Sequence, residues 1–490
     1  MTVPRTSSPV TTARLAAAAL ATVALAAAAL GFVSALGRWP ADFATIYVAS
    51  RALGTHGANV YDYATLVQLN ATHHYVSGAI YPFTYPPAVV YALRPLAALP
   101  FAAARALWAA LVELAVLATA LLLAGAFAAL VAWCGATTRT LGVALEATSP
   151  RVGRWTFPAL PFAGAAAALL LALPAADALF WGSASVFVAL LLALALDALM
   201  RRRPLVLGIA AGCAAGLASW HPIVGLLVVL GFVALALVLR GTWRFTGIGG
   251  VAALLVWLPW LTPMAAGYRA QQSLLAGTYA TNWHNASLDG LMALLLTITE
   301  HTGTLTFDQG SKLAGYLVKA VAAVTVLALL AGTAALWQAH RARRPSSVRG
   351  GAWLALAALL ATYALVTPLL WPFEATLVAF AALLLLGHAL AANWGHELLK
   401  WAVGVAAALA LLLCIVAAVT GADWLDLPQG TPVLVLYLAR PAAALLVWLS
   451  ACLVLMLAGV GALRRARHIR ATAHHAPGER ANTTPAAATE

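Results

Sequence analysis

Apolar stretches long enough to cross a bilayer recur along this chain, and they constrain its fold more than any other feature. They lie at about 15–36, 104–133, 157–175, 184–200, 205–220, 222–239, 246–266, 313–338, 351–370, 372–391, 401–420 and 432–460. A bilayer core needs about 20 apolar residues in a helix to span it. No water reaches that core, so each backbone N–H and C=O has to be bonded within its own segment, and the helix meets that demand. The expectation is an all-α integral membrane bundle of about twelve transmembrane helices. Composition agrees: the 490 residues are 63% hydrophobic and 9% charged, too little charge for the surface of a soluble protein of this size. Residues 15–36 follow Arg5 and Arg14 and end in small residues, as a secretory signal does. Their apolar length exceeds a signal core, so an uncleaved first span is expected.

The net charge of +13 is not spread evenly. Arg139/Arg151/Arg154, Arg201–Arg203, Arg240/Arg244, the cluster from Arg341 to Arg349 and Arg464–Arg470 fall on one side if the spans alternate. The positive-inside rule makes that side cytoplasmic, with both termini there, in a plasma (inner) membrane. Basic residues in short clusters between spans are orientation signals, so nucleic acid is excluded as a partner. Residues 1–463 form the membrane domain, and 464–490 read as a basic, disordered tail. The four cysteines lie within or beside apolar runs, which argues against a disulfide framework or a zinc site.

Polarity collects on the other face. Most of the acids, Asp42, Asp62, Asp177, Asp289, Glu300, Asp308, Glu374, Asp423 and Asp426, fall on that side, and two of its stretches are long, about 37–103 and 267–312. Loops of that length between spans usually carry function. Within the first, residues 86–99 are apolar but too short to span, and they read as an interfacial or membrane-dipping helix. Asp42 follows the first span by a few residues, between Trp39 and Phe43. Partial burial there raises a carboxylate's proton affinity, the direction that suits a general base. On position alone an ordinary loop acid competes with that reading. Tyr47, Arg51, Tyr61, Asp62 and Tyr85 in the same loop suit sugar rings and hydroxyls. The adjacent His73 and His74 lack a carboxylate partner, so no metal is expected. Arg51, Arg94, His221, Arg269 and Lys312 lie near the outer boundary, where cations either pair with a phosphate or snorkel to lipid headgroups. Glu113 is the acid placed deepest in a span. Walker, dinucleotide, HExxH and GxSxG motifs are missing.

The order of several short motifs resembles glycosyltransferase family 87, multispanning enzymes of the GT-C class that use polyprenyl-phosphate sugars. The carriers are Asp42-Phe43; Gly57 to Asp62; Tyr85-Pro86-Pro87; Arg94-Pro95-Leu96; Leu99-Pro100; Trp108; Trp181-Gly182; Gly208 and Gly212 before Pro222; Asn285 to Gly290; and Thr367 to Trp371. Three positions depart from the family. Its Gly-Gln-x-Asn is Gly182-Ser183-Ala184-Ser185, its lysine before the proline is Ser219, and its Asp-His-His is Pro372-Phe373-Glu374.

The resemblance implies transfer of a sugar, mannose first among candidates, from a polyprenyl-phosphate donor to a lipid-linked or cell-envelope glycan. It implies Asp42 as general base, inversion at the anomeric carbon, and no cofactor. Arg51, Tyr61, Asp62, Tyr85, His221, Arg269, Asn285, Trp371 and Glu374 are the expected substrate-binding residues. Two rival readings stay open at this point: a transporter or flippase of lipid-linked saccharide, and a family member without activity.

Overall fold

The computed structural model describes residues 39–56, 58–134, 182–201, 203–217, 258–279, 307–341, 345–366, 375–391, 397–420 and 433–474, with isolated positions elsewhere. Described positions between 22 and 37 are all helical. In chain order the helices are α1 (Ala41–His56), α2 (Tyr63–His73), α3 (Pro87–Ala97), α4 (Phe101–Cys134), α5 (Ser185–Met200), α6 (Pro204–Leu217), α7 (Met264–Tyr279), α8 (Phe307–Arg341), α9 (Pro345–Val366), α10 (Ala375–Ala391), α11 (Glu397–Thr420) and α12 (Val433–His474). The extended structure among the described residues is one two-residue ladder, Arg151–Val152 against Trp155–Thr156.

Four described helices are long and apolar enough to cross a membrane: Phe101–Phe127, Gly315–Ala335, Glu397–Ala417 and Leu438–Arg467. Their outward surfaces carry Leu114, Leu327, Leu330, Trp401 and Val405, each more than half exposed. A soluble helix would put polar residues there, so this chain is built to be solvated by lipid. Shorter apolar helices lie at Ser185–Met200, Leu205–Ala214, Trp353–Val366 and Thr376–Leu390. The expected spans at 157–175 and 222–239 lie outside the described residues.

Proline sets several helix boundaries. Pro86 and Pro87 start α3, and Pro95 closes it within a turn. Pro100 supplies the first acceptor of α4, its carbonyl bonded by Ala104 N at 2.9 Å. Proline suits a helix start because the N–H it lacks would have no partner there. Residues 87–97 are thus the short helix the loop was expected to hold. Two boundaries differ from expectation. The run expected to span to 266 is broken at a 3₁₀ turn, Leu258–Leu261, and α7 then carries helix into the second long loop. Thr262 Oγ1 donates to Pro259 O within this turn, and Pro263 O accepts from the amides of Ala266 and Gly267, so Pro263 opens α7. At the other end, α12 runs through the Arg464–Arg467 cluster to His474, so the segment expected to be disordered begins as helix. Alanine and arginine are strong helix formers, and a helix already propagating costs little to extend.

The helices pack as two connected groups around one core. Helix α12 lies against α8, α9 and α11, while α4, α5 and α10 join this group to the first loop. The α8–α12 approach is close: a Cβ on Gly459 would fall 2.6 Å from Ala331 Cβ, and one on Gly332 2.7 Å from Leu455. Small residues permit such packing where lipid offers no hydrophobic drive. A polar relay crosses the same region. Trp448 Nε1 donates to Thr325 Oγ1 at 2.8 Å, and Thr325 and Thr362 hydroxyls meet at 2.8 Å. Thr362 Oγ1 donates in turn to Ala358 O at 2.7 Å. Thr325→Val keeps the shape but leaves the buried indole N–H without its acceptor, which costs about 1–3 kcal/mol. Thermal unfolding of the purified protein is expected to show a lowered midpoint for this variant.

Candidate active site

The first loop folds as a layer over α4 and α5, and its helices place Asp42. Trp39 packs on Phe101 with ring centroids 5.4 Å apart and donates its indole N–H to Ala79 O at 2.8 Å. Phe43 stacks on Trp108 at 5.4 Å and on Phe101 at 6.0 Å. These two anchors flank Asp42 in the first turn of α1. Further along, Thr45 Oγ1 accepts from Tyr81 N at 2.8 Å, Ser50 Oγ donates to Val90 O at 3.2 Å, and Tyr47 Oη donates to Leu99 O at 2.7 Å. Helix α1 is therefore tied along its length to the segment that leads into α3 and α4.

Asp42 is half-buried, keeping some surface open while protein atoms wall its carboxylate closely. Loss of water around the charged form pushes its pKa up to about 7, against the hydrogen bond from Tyr85, which pulls it down. The helix N-terminus also favours the anion. The Tyr85 hydroxyl donates to Asp42 Oδ2 at 2.8 Å. In turn Tyr85 O accepts from the Tyr61 hydroxyl at 2.9 Å. So the structure joins three of the expected site residues, Asp42, Tyr85 and Tyr61, in one chain of hydrogen bonds.

The other expected residues are placed differently. The Tyr61 ring is buried between Phe83, at 5.3 Å, and Tyr268 of α7, at 5.5 Å, so its faces meet protein. Asp62 is exposed and caps α2, accepting from Ala64 N at 3.2 Å and from Thr65 Oγ1 at 2.5 Å. The Thr65 bond holds its carboxyl below the usual range. Arg51 lies nine residues beyond Asp42 on α1, about 13 Å along the axis. Its guanidinium sits 5.6 Å from the ring centroids of both Tyr47 and Tyr75. Arg269 is exposed on α7, one residue past Tyr268. His221, Asn285, Trp371 and Glu374 lie outside the described residues. The Asn70 side chain donates to Val76 O and accepts from Val76 N, closing the loop after α2.

Sequence reasoning missed an apolar cleft of about 330 Å³ beside this chain of hydrogen bonds. Tyr85, Val89, Trp108, Leu111, Phe187 and Leu191 line it. Its walls come from α3, α4 and α5, so no local pattern announces it. Behind it, Gly182 has a φ of 74°, and its carbonyl accepts from Trp108 Nε1 at 2.9 Å. Ser183 Oγ accepts from Ser185 N at 3.2 Å, satisfying an amide at the start of α5 where the family carries glutamine.

No curated protein matches the chain. The model of glycosyltransferase family 87 matches residues 83–368, from Phe83 just before Tyr85 to the proline of the late Thr367-Pro368 motif. Asp42 precedes the matched segment, while Tyr85, Trp108 and Gly182 lie inside it. That match covers more than half of the 490 residues, and with the lipid-solvated helices it establishes that the chain belongs to glycosyltransferase family 87.

Proposed function

We propose that this membrane glycosyltransferase moves a sugar, mannose first among candidates, from a polyprenyl-phosphate donor to a lipid-linked or cell-envelope glycan on the extracytoplasmic face. The observation that carries the reading is Asp42 itself: a walled but accessible carboxylate beside an apolar cleft, with Tyr85 on one oxygen. Asp42 takes the proton of the acceptor hydroxyl as that oxygen bonds to the anomeric carbon. The bond from that carbon to the lipid phosphate breaks, and the phosphate leaves with the electron pair from the opposite face. Configuration is inverted. Charge grows on the phosphate, so a nearby cation lowers the barrier; His221 and Arg269 are the candidates, with Arg51 held further along α1. A lipid donor arrives by diffusion within the bilayer, which accounts for a chain without a nucleotide-binding motif.

The test is transfer from a radiolabelled polyprenyl-phosphate sugar to envelope lipid, using the full chain in vesicles. Product is expected with the lipid donor and not with a nucleotide sugar. Movement of the labelled lipid between leaflets without glycosidic product would replace this reading with that of a flippase. The rate also has a predicted pH dependence. The base works only when ionised, and burial raises its pKa to about 7. Transfer is therefore expected to be lost as pH falls through about 7 and to level off above it. A rate that holds constant down to pH 5 would remove Asp42 from the role.

A further inference from the structure

Tyr85 is held in place by contacts that do not involve Asp42. Its carbonyl accepts the Tyr61 hydroxyl, its ring is 2% exposed and packs on Phe83 at 6.0 Å, and Pro86 directly follows it at the N-cap of α3. The same ring forms a wall of the apolar cleft with Val89, Trp108 and Phe187. A phenol held this way offers its hydroxyl from one direction only. That hydroxyl meets Asp42 Oδ2 and leaves Oδ1 without a bonded donor among the described residues.

We propose that Tyr85 is a positioning residue for sugar transfer: its hydroxyl occupies Oδ2, fixes the carboxylate rotamer and leaves Oδ1 as the atom that takes the acceptor's proton. This rests on the reading of Asp42 as the base. It assigns Tyr85 a role other than stacking on the sugar. The bond also favours the ionised carboxylate, so Tyr85 opposes the desolvation that burial imposes. Other titratable groups around α1 are engaged elsewhere. Tyr47 donates to Leu99 O, and Arg51 lies over the Tyr47 and Tyr75 rings. From α3, Tyr91 reaches Met264, and Arg94 lies against Gly54. From α4, Arg105 donates to Leu36 O. On α2, Tyr63 donates to Ile80 O, and from α7 Tyr268 faces Tyr61.

The experiment reads Asp42 protonation directly. The full chain in lipid nanodiscs is treated with dicyclohexylcarbodiimide, which modifies protonated carboxyls. The rate at Asp42 is followed against pH by peptide mass spectrometry, beside the acid limb of transfer. Tyr85→Phe keeps the ring and removes the donor, so both midpoints are expected to rise by about one pH unit. Transfer lost at neutral pH should be partly regained at higher pH, which a packing defect would not allow. Incorporation of 3-fluorotyrosine at position 85, a stronger donor of nearly the same shape, should move the labelling midpoint down. Tyr63→Phe should leave it in place. Unchanged labelling midpoints in both position-85 variants would overturn the proposal. Transfer that survives Asp42→Asn would instead overturn the assignment of the base, while a labelling shift would still show the Tyr85–Asp42 contact.

Discussion

Asp42→Asn is expected to lower sugar transfer by about 10²–10⁴-fold, the usual contribution of a positioned general base. The substitution is informative because the fold has little reason to resist it. An asparagine carbonyl still accepts from the Tyr85 hydroxyl, and the aromatic anchors at Trp39 and Phe43 are untouched. Removing a charge from a walled position also removes a desolvation cost. The variant should therefore unfold at or above the wild-type temperature while losing transfer from the radiolabelled lipid donor. Loss of rate with unchanged folding would place the defect in the chemistry. A variant that transfers at close to the wild-type rate would return Asp42 to the status of an ordinary loop acid.

The second large effect is expected at Gly182, which lies across from Asp42's neighbour. Its φ of 74° lies in the left-handed region, where a side chain costs about 1–2 kcal/mol. An added Cβ would also fall 2.6 Å from Phe43 Cβ and 3.2 Å from Phe43 N. Phe43 is fully buried against Trp108, so relief requires α1 to shift, and overpacking of that kind costs about 1–3 kcal/mol. Together these place Gly182→Ala at about 2–5 kcal/mol of destabilisation, and Gly182→Val should be worse. The same shift would move Asp42, the residue before Phe43, so transfer should fall alongside stability. Gly315→Ala is the control: nothing lies within 4 Å of the added Cβ, and alanine favours helix. Equal unfolding midpoints for Gly182→Ala and wild type would show that neither the backbone nor the Phe43 contact is under the constraint described.

Much of the scaffold could be read before any coordinates. The stretch 86–99 is apolar but too short to span, and that separated α3 from the spans. On position alone Asp42 competed with an ordinary loop acid, and it was the resemblance of Asp42-Phe43 to the family's motif that singled it out. Its hydrogen-bond partner could not be read. Tyr85 lies 43 residues away, in a loop containing several other tyrosines that look equally suited to bind sugar. Tyr61 and Asp62 read as substrate-binding residues, and the sequence did not announce that the Tyr61 hydroxyl donates to Tyr85 O or that Asp62 caps α2. Composition reports which side chains are available for polar work, and not which are already engaged by the backbone.

The sequence by itself determined that the chain is helical, that lipid solvates it, and that its polar residues gather in the long loops. These follow from local quantities, since apolar length, proline position and charge sign act within a few residues. Tertiary structure alone decided that Tyr85 meets Asp42, that Gly182 takes a left-handed turn under Phe43, and that α3, α4 and α5 enclose an apolar cleft. Each of those depends on segments distant in the chain arriving together. A hydrogen bond across 43 residues leaves no periodic trace in either partner's neighbourhood.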